Sequence, residues 1–176
     1  PMKKAEILRR ARRVRAIVSD VDGVLTDGGV IYGAGGLELK RFHARDGLAI
    51  LLARRAGLMV FLVSGRSSPA LARRSRELGV DRLWQGAGDK GRILGILYAE
   101  YGLEPGELCC VGDDLPDLPL LSRAGLGVAV PGSPEELRRA ACYTTATAGG
   151  DGALREVVEL ILKAQGRWRD LLGAYR

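Results

Sequence analysis

Two aspartates one residue apart, Asp20 and Asp22, lie in the run Ser19-Asp20-Val21-Asp22-Gly23-Val24-Leu25-Thr26-Asp27-Gly28, directly after an apolar stretch. Carboxylates crowded in this way repel one another unless a cation or a shared proton compensates them. A loop stapled by Asx turns is the simpler reading of the same letters. A second acidic group, Gly112-Asp113-Asp114-Leu115-Pro116-Asp117, follows another apolar run, Leu108-Cys109-Cys110-Val111. Between the two lie Ser64-Gly65-Arg66, whose hydroxyl and glycine-freed N–H suit an anion, and Lys90, after Gly86-Ala87-Gly88-Asp89. Ser-Gly is also a common turn, and Lys90 alone reads equally as a solvated side chain. At the start of a helix, however, a lysine opposes the helix dipole, which points to an anion held there. Two acidic loops at one edge need a divalent cation, and hard oxygen ligands select Mg²⁺ together with a substrate phosphate.

These residues need a frame that brings them together. The apolar runs 16–19, 58–63, 108–111 and 126–130 are short, do not alternate, and are bounded by Gly, Asp or Pro, the pattern of parallel strands buried on both faces. Helical stretches separate them. Asp46 is expected to cap 47–56 before Gly57, Ser68-Pro69 to open a helix closed by Gly79, and Asp89 to cap 90–100 before Gly102. Ser133-Pro134-Glu135-Glu136 reads as a capping box, and 151–165 as a last amphipathic helix ending at Gly166. Alternating strands and helices give an α/β, Rossmann-like doubly wound parallel sheet with helices on both faces, whose ligands bind beyond the carboxyl ends of the strands. The exception is 28–42, where Val30-Ile31-Tyr32 and Leu37-Glu38-Leu39-Lys40 flank Gly33-Ala34-Gly35-Gly36, an inserted β-hairpin.

A length of 176 residues predicts one domain over 1–176, and 47% hydrophobic with 27% charged residues excludes disordered and fibrous classes. The longest apolar stretch, 58–63, is strand-sized, so no membrane span is expected, and 1–4 lacks the apolar core of a secretory signal. A cytoplasmic protein is expected. Three cysteines and a single histidine form neither a disulfide framework nor a zinc spacing. The net charge of +6 is local: residues 1–15 hold seven Lys/Arg and one Glu, leaving 20 basic and 20 acidic residues elsewhere. That segment reads as a helix or arm with Ile7 and Leu8 packed down; a nucleic-acid partner is not expected of the neutral body.

In order and placement, D-x-D-G at 20–23, Ser64, Lys90 and G-D-D-x-x-D at 112–117 resemble the motifs of the haloacid dehalogenase superfamily of aspartyl-phosphate phosphohydrolases, over about residues 16 to 165. The resemblance implies that Asp20 is the nucleophile, Asp22 the general acid and then base, and Ser64 and Lys90 the phosphoryl ligands. It further implies that Mg²⁺ is held by Asp20, the Asp22 carbonyl and Asp113, with Asp114 and Asp117 in the outer shell or fixing the loop. Most members insert a cap domain. Here 22–64 holds only the hairpin and one helix, and 64–90 one helix, so no cap is expected and another subunit is the natural lid, with hairpin 28–42 covering a neighbouring site.

The run 20–29, the hairpin, F-x-x-R-D-G at 42–47, S-G-R at 64–66 and G-G-D-G-A-L-R-E at 149–156 together resemble the 3-deoxy-D-manno-octulosonate 8-phosphate (KDO 8-phosphate) phosphatases. That family is Mg²⁺-dependent, homotetrameric and serves lipopolysaccharide synthesis. The resemblance implies a sugar phosphate substrate bound by Thr26, Arg45, Ser64, Gly65, Arg66 and Lys90, with Arg66 forking its carboxylate. Relatives acting on nine-carbon keto-sugar acid 9-phosphates often carry glutamate where Arg66 stands, so Arg66 favours the eight-carbon acid. Two alternatives are a phosphatase for another acidic sugar phosphate and a non-catalytic binding protein on the same scaffold. Against the latter, Asp20, Asp22, Lys90 and Asp113 are all present. His43 and Trp84 depart from the asparagine and tyrosine common in the family, and the tail 167–176 is not accounted for by catalysis.

Overall fold

The computed structural model describes residues 2–173 and 175; Pro1 of the basic segment and Ala174 and Arg176 of the tail lie outside the described residues. The chain runs through β1 (Ala16–Asp20), the hairpin strands β2 (Ile31–Tyr32) and β3 (Glu38–Leu39), then β4 (Met59–Val63), β5 (Arg82–Trp84), β6 (Leu108–Gly112), β7 (Leu126–Ala129) and β8 (Tyr143–Thr144). Its helices are α1 (Lys4–Ala11), α2 (Ala44–Arg55), α3 (Pro69–Leu78), α4 (Arg92–Tyr101), α5 (Leu118–Leu121), α6 (Glu135–Ala140), α7 (Ala153–Ala164) and α8 (Trp168–Gly173). Six strands make one parallel sheet in the order β5-β4-β1-β6-β7-β8, and β2 pairs with β3 antiparallel as a separate ribbon.

Successive strand residues face opposite sides of the sheet, which is why the continuous apolar runs are needed. Ile17, Val60, Leu62, Cys109 and Val128 pack with Ile50 of α2, Leu71 of α3 and Val158 of α7. Val18, Phe61, Val63, Cys110 and Ala129 pack with Leu97 of α4, Leu121 of α5 and Leu137 of α6. The adjacent thiols of Cys109 and Cys110 are thus core residues of opposite layers, and burial pushes both thiols up. Edge strands β5 and β8 escape the sequence reading because they are three and two residues long and only half-buried, so no apolar run marks them.

Several expected helix ends are built differently. Asp46 does not cap α2, which starts at Ala44 with the His43 Nδ1 accepting from the Arg45 N–H. Asp46 is buried and accepts instead from the Arg155 N–H at 2.8 Å, supplying from another element the cap that Gly152 cannot. This bond joins F-x-x-R-D-G to G-G-D-G-A-L-R-E. Asp89 accepts from the Gly91 N–H, and α4 begins only at Arg92, so Lys90 stands in the preceding turn and not in the helix. The Ser133 hydroxyl donates to the Val130 carbonyl, so no capping box forms at α6. Helix α7 is not the last: Gly166, at φ +73°, turns the chain into α8. In the basic segment Ile7 packs on the core, Glu6 pairs with Arg9 and Arg10, and the Arg10 guanidinium reaches the Gly125 carbonyl at 2.8 Å, so the segment is docked on the body.

Strand β1 lies between β4 and β6, and the chain winds outward from it in both directions. The loops after β1, β4 and β6 therefore diverge around one crevice at the carboxyl edge, the switch point where such sheets bind ligands.

Candidate active site

Asp20 ends β1 almost fully buried. The carbonyl of Val21 accepts the N–H groups of Leu25 and Thr26, both at 3.0 Å, in a tight turn that carries Asp22 over the strand end. Gly23, at φ +106°, makes the turn possible, and a Cβ there would stand 2.0 Å from Asp113 Oδ2. Only glycine lets the two acidic loops meet.

Lys90 is delivered by a loop tied to the β4 turn. The Ser64 N–H donates to the Trp84 carbonyl at 2.9 Å, the Ala87 N–H to the Ser64 carbonyl at 3.1 Å, and the Ser68 N–H to Gln85 Oε1 at 2.7 Å. Its ammonium, buried, donates to Asp20 Oδ1 at 2.5 Å and Asp117 Oδ1 at 2.6 Å. Asp117 folds back beneath Gly112, where a Cβ would come within 2.4 Å of it, and its Oδ2 accepts from the Asp113 N–H at 3.1 Å. That oxygen also accepts from the Asp114 N–H at 3.4 Å, closing a capping box over the 115–117 turn, and Asp20, Asp113 and Asp117 present carboxylate oxygens all within 4.8 Å of one another. Asp114 stands apart from this group and accepts the Leu115 N–H, fixing the turn that carries Asp117.

Three carboxylates face one ammonium here. Burial and the Asp117 charge push Asp20 up to about 8, against the pull of Lys90, and burial with Asp117 pushes Asp113 up to about 6. Burial opposes the charge on Lys90, but Asp20 and Asp117 together raise it above the ordinary lysine value. The site is short of positive charge, and Asp20 Oδ2 is a buried acceptor without a donor among the described residues. Such a set of hard oxygens fits Mg²⁺.

Asp22 lies beside this group. Its Oδ2 accepts the Ser64 hydroxyl at 2.8 Å, and its Oδ1 is ion-paired with Lys40 of the hairpin. Ser64 Oγ in turn accepts the Arg66 N–H at 3.0 Å, while Gly65 is exposed on the same turn. Two of the residues expected at the substrate are engaged within the chain. Thr26 is buried, and its hydroxyl accepts the N–H groups of Gly23 and Gly28, because a tight glycine-rich turn needs an internal acceptor. Arg66 is not an open fork: it donates to Glu38 Oε2 at 2.8 Å and to the Tyr32 hydroxyl at 3.3 Å, both on the hairpin. Arg45 is exposed beside Gly152 and forms no ion pair among the described residues.

Sequence reading missed Glu38 and Lys40. Their spacing of two in an alternating strand is the available signal, since it puts both charges on one face. It also missed the role of 145–152. The Glu156 carboxylate gathers the N–H groups of Ala146 and Thr147, both at 2.9 Å, and the Tyr143 hydroxyl, and the loop so fixed lies against 23–27. Gly150 N–H donates to the Val24 carbonyl at 3.0 Å. A cavity of about 230 Å³ opens beside Gly23, Asp113, Ser133 and Gly149.

Comparison with known proteins bears on this arrangement. Residues 82–157 match the family described as haloacid dehalogenase-like hydrolases. The chain is 38% identical over 169 residues to the 3-deoxy-D-manno-octulosonate 8-phosphate phosphatase of Escherichia coli K12, covering 96% of this chain and 90% of that protein. It is similar, at a TM-score of 0.96 and 38% identity, to the crystal structure of the Moraxella catarrhalis phosphatase of the same name in complex with magnesium ion, phosphate ion and KDO, covering 99% of this chain and 100% of that one. The cobalt-bound form of the Haemophilus influenzae phosphatase gives a TM-score of 0.85 at 38% identity, covering 89% and 92%.

Proposed function

The chain belongs to the haloacid dehalogenase-like hydrolases, among the 3-deoxy-D-manno-octulosonate 8-phosphate phosphatases, and from this premise we propose that residues 1–176 form one catalytic unit that hydrolyses KDO 8-phosphate to KDO and phosphate. The carrying observation is Asp20: one oxygen held by Lys90, the other bare, inside a cluster of three carboxylates. Its carboxylate attacks phosphorus, the bond from phosphorus to the sugar oxygen breaks, and Asp22 gives its proton to the leaving oxygen. Asp22 then takes a proton from water, whose oxygen attacks phospho-Asp20, and the bond from phosphorus to Asp20 breaks to release phosphate. Asp20, Asp113 and the Asp22 carbonyl would hold Mg²⁺, which would supply the charge that offsets the phosphate beside the carboxylate. Lys90 and the Ser64–Gly65 turn orient the phosphoryl oxygens, and Arg66 and Arg45 take the sugar acid, with Arg66 exchanging Glu38 for the substrate carboxylate.

The test is phosphate release from KDO 8-phosphate, a nine-carbon keto-sugar acid 9-phosphate and neutral sugar phosphates. A preference for KDO 8-phosphate of at least about 100-fold in kcat/KM is expected, since an unpaired buried polar site rejects the wrong substrate strongly. Equal, slow turnover of all would keep the chemistry and sink the substrate.

No helix among the described residues is long and apolar enough to cross a membrane. A cytoplasmic location goes with this reading and with the three free thiols. The open crevice needs a lid, and the hairpin exposes Val30, Ile31, Tyr32, Leu37 and Leu39. We infer that this face packs on further copies of the chain in a homotetramer, each hairpin covering a neighbouring site. Light scattering should then give a tetramer mass that falls to monomer or dimer in Leu39→Lys; a wild-type monomer at micromolar concentration would refute the assembly.

A further inference from the structure

Lys40 belongs to none of the motifs that carry the proposed chemistry, yet it carries the hairpin to the carboxylate of Asp22. Its side chain is 3% exposed although it rises from a ribbon whose other face is open to solvent. A buried ammonium needs partners, and Lys40 has two: Asp22 Oδ1 in direct ion contact and Glu38 Oε1 at 3.1 Å. Glu38 is itself held by Arg66 at 2.8 Å. The far oxygen of Asp22 takes the Ser64 hydroxyl at 2.8 Å. Asp22 is thus gripped at both oxygens, from the turn after β4 on one side and from the residue after β3 on the other. Its own turn supplies neither grip: Gly23 follows it at φ +106°, and Thr26 spends its hydroxyl on Gly23 and Gly28.

We propose that Lys40 is the positioning residue for the acid–base carboxylate Asp22, holding its plane so that one oxygen faces the leaving group and later the water, while Glu38 braces the lysine from behind. The proposal rests on the reading of Asp22 as general acid and base. A neutral side chain at 40 leaves Asp22 with the Ser64 hydrogen bond alone and free to swing, and a misplaced proton donor forfeits most of what general acid catalysis supplies, about 10²- to 10⁴-fold. The lysine reaches Asp22, not the phosphoryl site that Lys90 occupies, so the phosphoryl ligands are left in place.

The experiment compares Lys40→Met, Lys40→Arg, Asp22→Asn and the Asp22→Asn/Lys40→Met pair, in the assembled enzyme with Mg²⁺, on KDO 8-phosphate and on p-nitrophenyl phosphate, whose phenolate leaves without a proton. Lys40→Met should lower kcat on the sugar phosphate about 100-fold with KM within about threefold, while the p-nitrophenolate burst of the first turnover changes less than about threefold. Lys40→Arg should recover most of the loss, and Lys40→Met added to Asp22→Asn should cost nothing further. An equal fall on both substrates, a KM rise carrying the effect, or additive losses in the pair would overturn the proposal. If Asp22→Asn retains full turnover, the acid–base assignment falls and the proposal with it; if Asp22→Asn is slow and Lys40→Met is not, the proposal alone falls. Circular dichroism on each variant separates misfolding, and a misfolded Lys40→Met hands the decision to Lys40→Gln under the same criteria.

Discussion

Asp20→Asn should lower phosphate release at least about 10⁴-fold while leaving the protein folded, because an amide oxygen cannot attack phosphorus and nothing beside it can replace it. Of the neighbouring carboxylates, Asp117 is committed to Lys90 and to the loop N–H groups and Asp22 to Ser64 and Lys40, while Asp113 is the one that would hold Mg²⁺ with Asp20. The same substitution has a signature in stability. In chelator, Asp20 is pushed up to about 8 by burial and Asp117, whereas its unfolded value is the ordinary 3.8. The folded state therefore binds more protons than the unfolded one between these values, and the stability that protonation brings is lost as pH rises through the window. Asp113, pushed up to about 6, adds in the same sense. The melting temperature of the metal-free wild type should thus fall from pH 5 to pH 8, and that of Asp20→Asn should fall less. Mg²⁺ should restore the wild type most at pH 8, where the carboxylates are ionised, and the variant little. Activity surviving in Asp20→Asn would end the phospho-aspartyl mechanism; identical pH slopes in chelator would show that the buried charge costs the fold nothing.

Gly149→Ala is expected to cost about 10²- to 10³-fold in kcat, although residue 149 is assigned no chemical step. Its added methyl would stand 1.7 Å from the Gly23 carbonyl oxygen and 3.2 Å from that of Thr26. No side chain can yield there; one of the two backbones has to move. Loop 145–152 is held from α7 by Glu156, so the displacement falls on the turn that carries Asp22 and abuts Asp113. A shift on the order of 1 Å in a catalytic group is enough for this loss. Overpacking also destabilises, by about 1–3 kcal/mol, readable from urea unfolding. Gly88→Ala is the control, since a methyl there meets nothing within 4 Å. Wild-type turnover in Gly149→Ala would mean that the two loops are free to part.

The sequence by itself determined the frame and the list of reacting groups. Buried parallel strands leave a plain trace, since both faces demand apolar residues, and β1, β4, β6 and β7 were readable for that reason. Carboxylates, a hydroxyl and a lysine at the ends of such runs were equally readable, because charge placed next to a core strand needs a cause. The expectation of no cap domain came from the short spacings read against the superfamily resemblance. Tertiary structure alone decided how the groups pair, because pairing joins residues distant in sequence: Lys90 with Asp20 and Asp117, Asp46 with the start of α7, Gly149 with Gly23, and Lys40 with Asp22. Local rules assigned Asp46 and Ser133 to their nearest helix starts, since a cap is a short-range pattern. The intramolecular partners of Thr26 and Arg66 were equally out of reach, since nothing in the chain shows that a turn needs the threonine as an acceptor or that a hairpin glutamate meets the arginine. A residue's type is written in the sequence, but which partner satisfies it once buried is settled only when the strands have brought the loops together.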